Sequence, residues 1–311
     1  MKNRALKRLI YSLSALLAFL SFFPVTSYSF IKQDTIINNS KNDTVPNSTT
    51  GFKIKTIIID AGHGGAHSGP GHFSPGASGS FSKERNVTLA IALKLQKAIE
   101  KDMGGVTAVL TRATDDDVSF ERRAEIANQN KGNVFISIHC NSLPDRHARE
   151  RVGTKRRKPV YRTVSVPDRS GKGVLLLVYG LKRTREAENE IKANQVEGDS
   201  EMGAGLDPDD PVTIILTNEY KRKFRQQSIN LANLINTEFV QTDERPSDGM
   251  REQSIYVLCH SAMPSVLVET GYINNPDDEK YLNSEDGQNE IVASIVRALT
   301  TYKKEMELVS R

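Results

Sequence analysis

The sequence predicts a single α/β domain: a mainly parallel, twisted sheet of about six strands flanked by helices. Three observations carry this. From residue 54 onward, short β-branched runs alternate with longer amphipathic stretches. Three apolar runs end in polar side chains, as strands do where an α/β sheet meets its loops. No internal repeat is visible.

The expected strands are 54–60, 106–111, 134–139, 173–179, 255–258 and 265–269. Between the first two, Val87, Ile91, Leu95, Ala98 and Ile99 recur at helical spacing, which predicts a helix over 82–101 with one face on the sheet. Further helices are expected over 118–130, from about 213 to 240, and over 286–305, with a short polar helix near 184–195. The stretch 143–172 shows neither period and is punctuated by Pro144, Pro159 and Pro167; it reads as a long basic loop, the first part of an insertion at about 143–212. The block 196–211, rich in Gly, Asp and Pro, reads as a connector.

Residues 1–29 differ from the rest. Lys2, Arg4, Lys7 and Arg8 precede an apolar run from Ile10 to Phe23, followed by the small residues Ser27 and Ser29, the pattern of a secretory signal peptide. The run is shorter than the ~20 residues a spanning helix needs, so no stable membrane anchor is expected after cleavage. Residues 30–52 are polar and aperiodic and read as a flexible leader. The expected location is therefore outside the cytoplasm, in the periplasm or cell envelope. A net charge of +4, from 42 basic and 38 acidic residues, makes no field that argues for nucleic acid. The basic stretch 146–158 also lacks the interleaved aromatics of a nucleic-acid surface. Two cysteines, Cys140 and Cys259, do not make a disulfide framework, and their pairing is left open.

The candidate chemistry lies where the apolar runs end. IIIDAGHGG (57–65) ends in Asp60 and His63, FISIHCNS (135–142) in His139 and Asn141, and PSVLVETGYINNP (264–276) in Glu269. Two imidazoles and one carboxylate make a zinc set that leaves a fourth position open. Spacing does not decide whether Glu84, at the head of the first helix, or Glu269 completes it. Asp60 is a candidate to orient His63. His67 and His72, in a Gly-rich loop, are spare ligand candidates, whereas His147 and His260 read as solvated or structural.

IIIDAGHGG, SKERN, SIHCNS and MPSVLVETGYINN, in that order and with LTRATDDDVSFERRAEIAN (110–128) between them, resemble the motifs of the zinc-dependent N-acetylmuramoyl-L-alanine amidases. The resemblance spans about 54–303, within a catalytic domain expected over 53–306. It implies that His63, Glu84 and His139 hold one zinc ion and that Glu269 is the catalytic glutamate. The implied reaction is hydrolysis of the amide joining N-acetylmuramic acid to the L-alanine of the peptidoglycan stem, in wall remodelling and daughter-cell separation. The loop between His63 and Glu84 is longer than is usual for the family. Some similar amidases carry an inserted helix that covers the zinc until an activator protein displaces it. Residues 182–212, with the charged run TREAENEIKANQVEG (184–198) and its Glu186, Glu188 and Glu190, are the candidate for that occluding segment, a solvated surface helix being the alternative. Rival functions are a zinc carboxypeptidase acting on stem peptides and a catalytically silent wall-binding adaptor.

Overall fold

A computed structural model describes residues 53–65, 74–180 and 211–309. The expected signal peptide, leader and polar helix near 184–195, His67 and His72, and the proposed occluding segment as far as residue 210 lie outside the described residues.

In chain order the elements are β1 (Thr56–Ala61), α1 (Glu84–Asp102), β2 (Thr107–Leu110), α2 (Phe120–Gln129), β3 (Val134–Asn141), β4 (Arg146–Lys155), β5 (Lys158–Val166), β6 (Val174–Tyr179) and α3 (Pro211–Thr237), which ends in a π-helical turn, Glu238–Thr242. There follow β7 (Ser247–Gln253), α4 (Tyr256–Cys259), β8 (Ser265–Tyr272), α5 (Pro276–Leu282) and α6 (Glu285–Val309). Six strands form one sheet in the order β2-β1-β3-β8-β6-β7. The first four run parallel, β6 is antiparallel to β8, and β7 is parallel to β6.

Both faces of the sheet are covered, which is why its central strands read as continuous apolar runs. Alternate residues divide between two cores. Ile57, Ile59, Ile136 and Ile138 face α1, α3 and α6, while Ile58, Phe135, Leu175 and Leu267 face α2 and α4. Helix α1 buries Val87, Ile91, Leu95 and Ile99, one residue per turn; burial of each aliphatic side chain contributes about 2 kcal/mol. The N-cap of α2 is Ser119, whose side chain accepts from the Arg122 amide. Neither cysteine is in a disulfide, and both are buried, Cys140 on one face of the sheet and Cys259 on the other. No described helix is long and apolar enough to cross a membrane.

Four sequence expectations require correction. The run 255–258 is helical, not a strand: α4 closes with His260 stacked on Tyr256 at 3.7 Å between ring centroids. Four apolar residues carry no period, so burial alone could not separate the two forms. The sixth strand is instead β7, SDGMREQ, an edge strand polar enough to hide its period. The expected loop 143–172 contains a two-stranded antiparallel ribbon, β4–β5. Its alternation is missing because neither of its faces packs against the core. Helix α5 was also unforeseen, although Asn275 caps it and Pro276 begins it.

Candidate metal centre and active site

The site forms at the carboxyl edge of β1, β3 and β8. Strand β1 stops at Ala61, and the chain turns sharply through Gly62 and His63, the latter at φ +60°. A β-carbon on Gly62 would lie 2.4 Å from Nε2 of His139, so only glycine lets the two strand ends approach. The turn points three carbonyls inward, and two buried arginines satisfy them. Arg112 donates to Ala61 O (2.8 Å) and Gly62 O (2.9 Å), and Arg123 donates to Ala61 O and His63 O (both 2.6 Å).

Asp60 does not orient His63. It pairs with Arg123 at 2.6 Å and accepts from Thr111 and Ser137 hydroxyls, also at 2.6 Å. Burial pushes its carboxyl up, but the Arg123 charge and these hydrogen bonds outweigh burial and bring it down to about 2. The side chain near Nδ1 of His63 is Ser74, whose Oγ is 2.9 Å away. Ser74 sits in the Gly- and Ser-rich loop, where nothing in its sequence context marks it.

Glu84 is the first residue of α1, and its carboxylate reaches across the strand ends. Its Oε1 lies 3.1 Å from Nε2 of His63 and 3.1 Å from Nδ1 of His139, and accepts from the Cys140 amide at 3.0 Å. Its other oxygen accepts from the Ala77 amide at 2.7 Å. Burial pushes Glu84 up, yet hydrogen bonds to both imidazoles and their charge hold it far below the usual carboxylate range. The two imidazoles meet edge to face, with centroids 4.8 Å apart. One donor atom from each of His63, Glu84 and His139 falls within 4.8 Å of the others, and the group is positioned to bind a metal.

The loop before Glu84 is fixed by a residue that carried no signal of its own in the sequence. Glu279 of α5, wholly buried, accepts from the amides of Ser80, Phe81 and Ser82 and from the Ser82 hydroxyl at 2.8–2.9 Å. Burial opposes its charge, but these donors bring it down to about 2.

Glu269 stands on β8 directly opposite His139 on β3. One of its oxygens is buried with no hydrogen-bond partner. Burial, then the charge of Glu84, pushes its carboxyl up to about 8. His63, His139 and Glu269 line one cleft of about 380 Å³, whose apolar wall includes Phe120, Tyr256 and Leu175. The rings of Phe120 and Tyr256 lie 6.4 Å apart, and Phe120 is 44% exposed. Tyr256 carries no signal of this place in the sequence because 255–258 reads as a strand, whereas Phe120, which helical spacing groups with Ala124 and Ala127 on the inward face of the 118–130 helix, stands half-open at the cleft. His260 is held by Tyr256 and Asn128 away from the metal group, and His147 lies on the exposed ribbon.

The family model described as N-acetylmuramoyl-L-alanine amidase matches residues 57–301. The amidase AmiA of Escherichia coli strain K12 is 26% identical over 88% of this chain and 84% of its own. A putative N-acetylmuramoyl-L-alanine amidase of Buchnera aphidicola subsp. Baizongia pistaciae is 30% identical over 79% of this chain and 95% of its own. Among solved structures, the CwlD amidase of Clostridioides difficile, in complex with the GerS lipoprotein, shares the fold with a TM-score of 0.53 at 23% identity, over 80% of this chain and 98% of that one. The match to the family model covers well over half of the chain, and the chain belongs to the N-acetylmuramoyl-L-alanine amidase family.

Proposed function

We propose that this protein is an exported zinc hydrolase of the cell envelope that cuts the amide between N-acetylmuramic acid and the L-alanine of the peptidoglycan stem. The observation that carries the reading is the convergence of His63, Glu84 and His139 beside a buried carboxyl oxygen, on Glu269, that has no partner. Two imidazoles on one carboxylate oxygen form a donor set suited to zinc. Bound there, zinc supplies Lewis acidity toward a scissile carbonyl and an attacking water.

The chain's own groups account for the rest. Glu84 brings negative charge to the donor set and is fixed by the Cys140 and Ala77 amides, so it need not reorganise. Glu269, which lines the cleft and whose carboxyl is raised to about 8, accepts in its ionised form the proton of the attacking water and returns it to the departing nitrogen. Without that return the leaving group would be an amide anion. The Phe120–Tyr256 wall offers an apolar surface to the sugar or stem backbone beside the scissile bond.

Purified protein incubated with peptidoglycan, with and without chelator, tests the reading by mass spectrometry of the new ends. Free lactyl carboxyls paired with N-terminal alanine are expected, and chelator should abolish them. Release of single carboxy-terminal amino acids would establish the carboxypeptidase alternative. Glu269→Gln should lower kcat by roughly 10²–10⁴-fold with zinc content unchanged. Residues 182–212 are further proposed to occlude the site until an activator displaces them, on the strength of their charged run and their place in the insertion. Deleting them should raise wall hydrolysis, and no gain would end that idea.

A further inference from the structure

The cleft leaves the β4–β5 ribbon unused. Its side chains are exposed along both strands, Val164 alone being half-buried. From Arg146 to Val166 it carries eight Lys and Arg against one acid, Glu150, which is paired with Arg162 at 3.1 Å. Residues on alternate positions share a face of a strand. His147, Arg149 and Arg151 therefore lie together, and the register sets Thr163 opposite Arg149 and Tyr161 opposite Arg151. The Arg149 guanidinium lies over the Tyr161 ring, 5.1 Å from its centroid.

The tip is a second, independent feature. Arg156 and Arg157 occupy its two turn positions at φ +51° and +64°. Such turns are ordinarily filled by Asn-Gly, because other side chains are strained there. Here two cations occupy them between Lys155 and Lys158, so four like charges stand side by side where their repulsion opposes folding. Bound anions would relieve that repulsion.

The ribbon's root ties it to the site. Asn274 donates to Leu143 O (3.0 Å) and Asp168 O (2.8 Å), Asn275 donates to Arg169 O (2.9 Å), and Arg146 pairs with Asp168 at 3.2 Å. The two asparagines follow β8, which carries Glu269, and the chain enters the ribbon from β3, which carries His139. A ten-residue strand at ~3.3 Å per residue gives an arm of about 30 Å from the sheet edge that holds the cleft.

We propose that this ribbon is a docking arm for the carboxylate-bearing stem peptides of the wall polymer, holding neighbouring stems while one enters the cleft; this rests on the amidase reading. Guanidinium groups pair with carboxylates through two parallel hydrogen bonds, and the Tyr161–Thr163 face adds an aromatic surface and a hydroxyl suited to a glycopeptide.

The test is co-sedimentation with purified sacculi stripped of phosphate polymers, in chelator so that nothing is cut. It compares the native chain with a variant combining Arg149→Gln, Arg151→Gln, Arg156→Asn and Arg157→Gly. Asn-Gly suits the turn, so the tip of this variant should fold more readily than the native one. Binding is expected to fall about tenfold in the variant, and similarly when the sacculus carboxylates are amidated. kcat on a soluble disaccharide-peptide should stay unchanged. Equal sedimentation of variant and native chain, indifference to amidation, or stronger binding to phosphatidylglycerol vesicles than to sacculi would each overturn the proposal. Failure of the native protein to release lactyl and alanine ends would instead overturn the amidase reading, whatever the binding result.

Discussion

Asp60 is the buried anion on which the β1 turn is built, and replacing it by Asn removes the charge while keeping the shape. Asp60 and Arg123 are 1% and 2% exposed, so the pair is out of water. Breaking a buried pair by removing one partner costs about 3–5 kcal/mol. The lower end applies here, because Arg123 keeps its bonds to the carbonyls of Ala61, His63 and Val118. The pH dependence isolates the charge. The folded carboxyl sits at about 2 against an ordinary 3.8, a gap of about 1.8 units, which at about 1.4 kcal/mol per unit is roughly 2–3 kcal/mol. Because the folded value is the lower one, the unfolded chain takes up the proton first as pH falls. The stabilisation is complete above about pH 4 and drains away toward pH 2. Urea unfolding of native and Asp60→Asn proteins, followed by circular dichroism from about pH 5 to pH 2, should show the difference between them shrinking by about 2 kcal/mol. Subtracting the two cancels the other carboxylates, Glu279 included. A difference constant across that range would refute the assignment.

Three further substitutions probe the site's supports. Gly62→Ala drives a β-carbon into the His139 imidazole and should weaken zinc affinity by roughly 10–100-fold, read by competition with a chromogenic chelator. Glu279→Ala leaves the amides of Ser80, Phe81 and Ser82 without their acceptor; it should cost about 2–4 kcal/mol by thermal or urea unfolding and lower zinc occupancy by loosening Glu84. Phe120→Ala removes part of the apolar wall and should raise KM several-fold with kcat little changed, since its ring lies beside the cleft and carries no proton.

Most of the sheet was legible because its central strands are buried on both faces: β1, β3, β6 and β8 are near-continuous apolar runs whose ends are marked by polar side chains. Helix α1 was legible because one face is buried at a regular interval. What escaped lies where burial leaves no regular pattern. The edge strand β7 is polar, the ribbon is exposed on both faces, and α4 is a single turn. The candidate site divides in the same way. His63, His139 and Glu269 could be picked out because each ends an apolar run, while Glu84 was one of two candidate carboxylates until the family resemblance chose between them. Asp60 was picked out for the right location and given the wrong partner, because its contacts, Arg123, Thr111 and Ser137, come from three other elements.

By itself, then, the sequence determined the candidate residues, the strand ends that bear most of them and the family to which the chain belongs. Only the tertiary structure decided that one Glu84 oxygen lies between two imidazoles, that Glu279 and the two buried arginines hold the loops in place, and that Glu269 keeps a buried oxygen without a partner. The physical reason is range. Burial patterns are written locally along a chain, whereas hydrogen-bond partners and the burial that shifts a carboxyl depend on segments brought together from as far apart as Ser80 and Glu279.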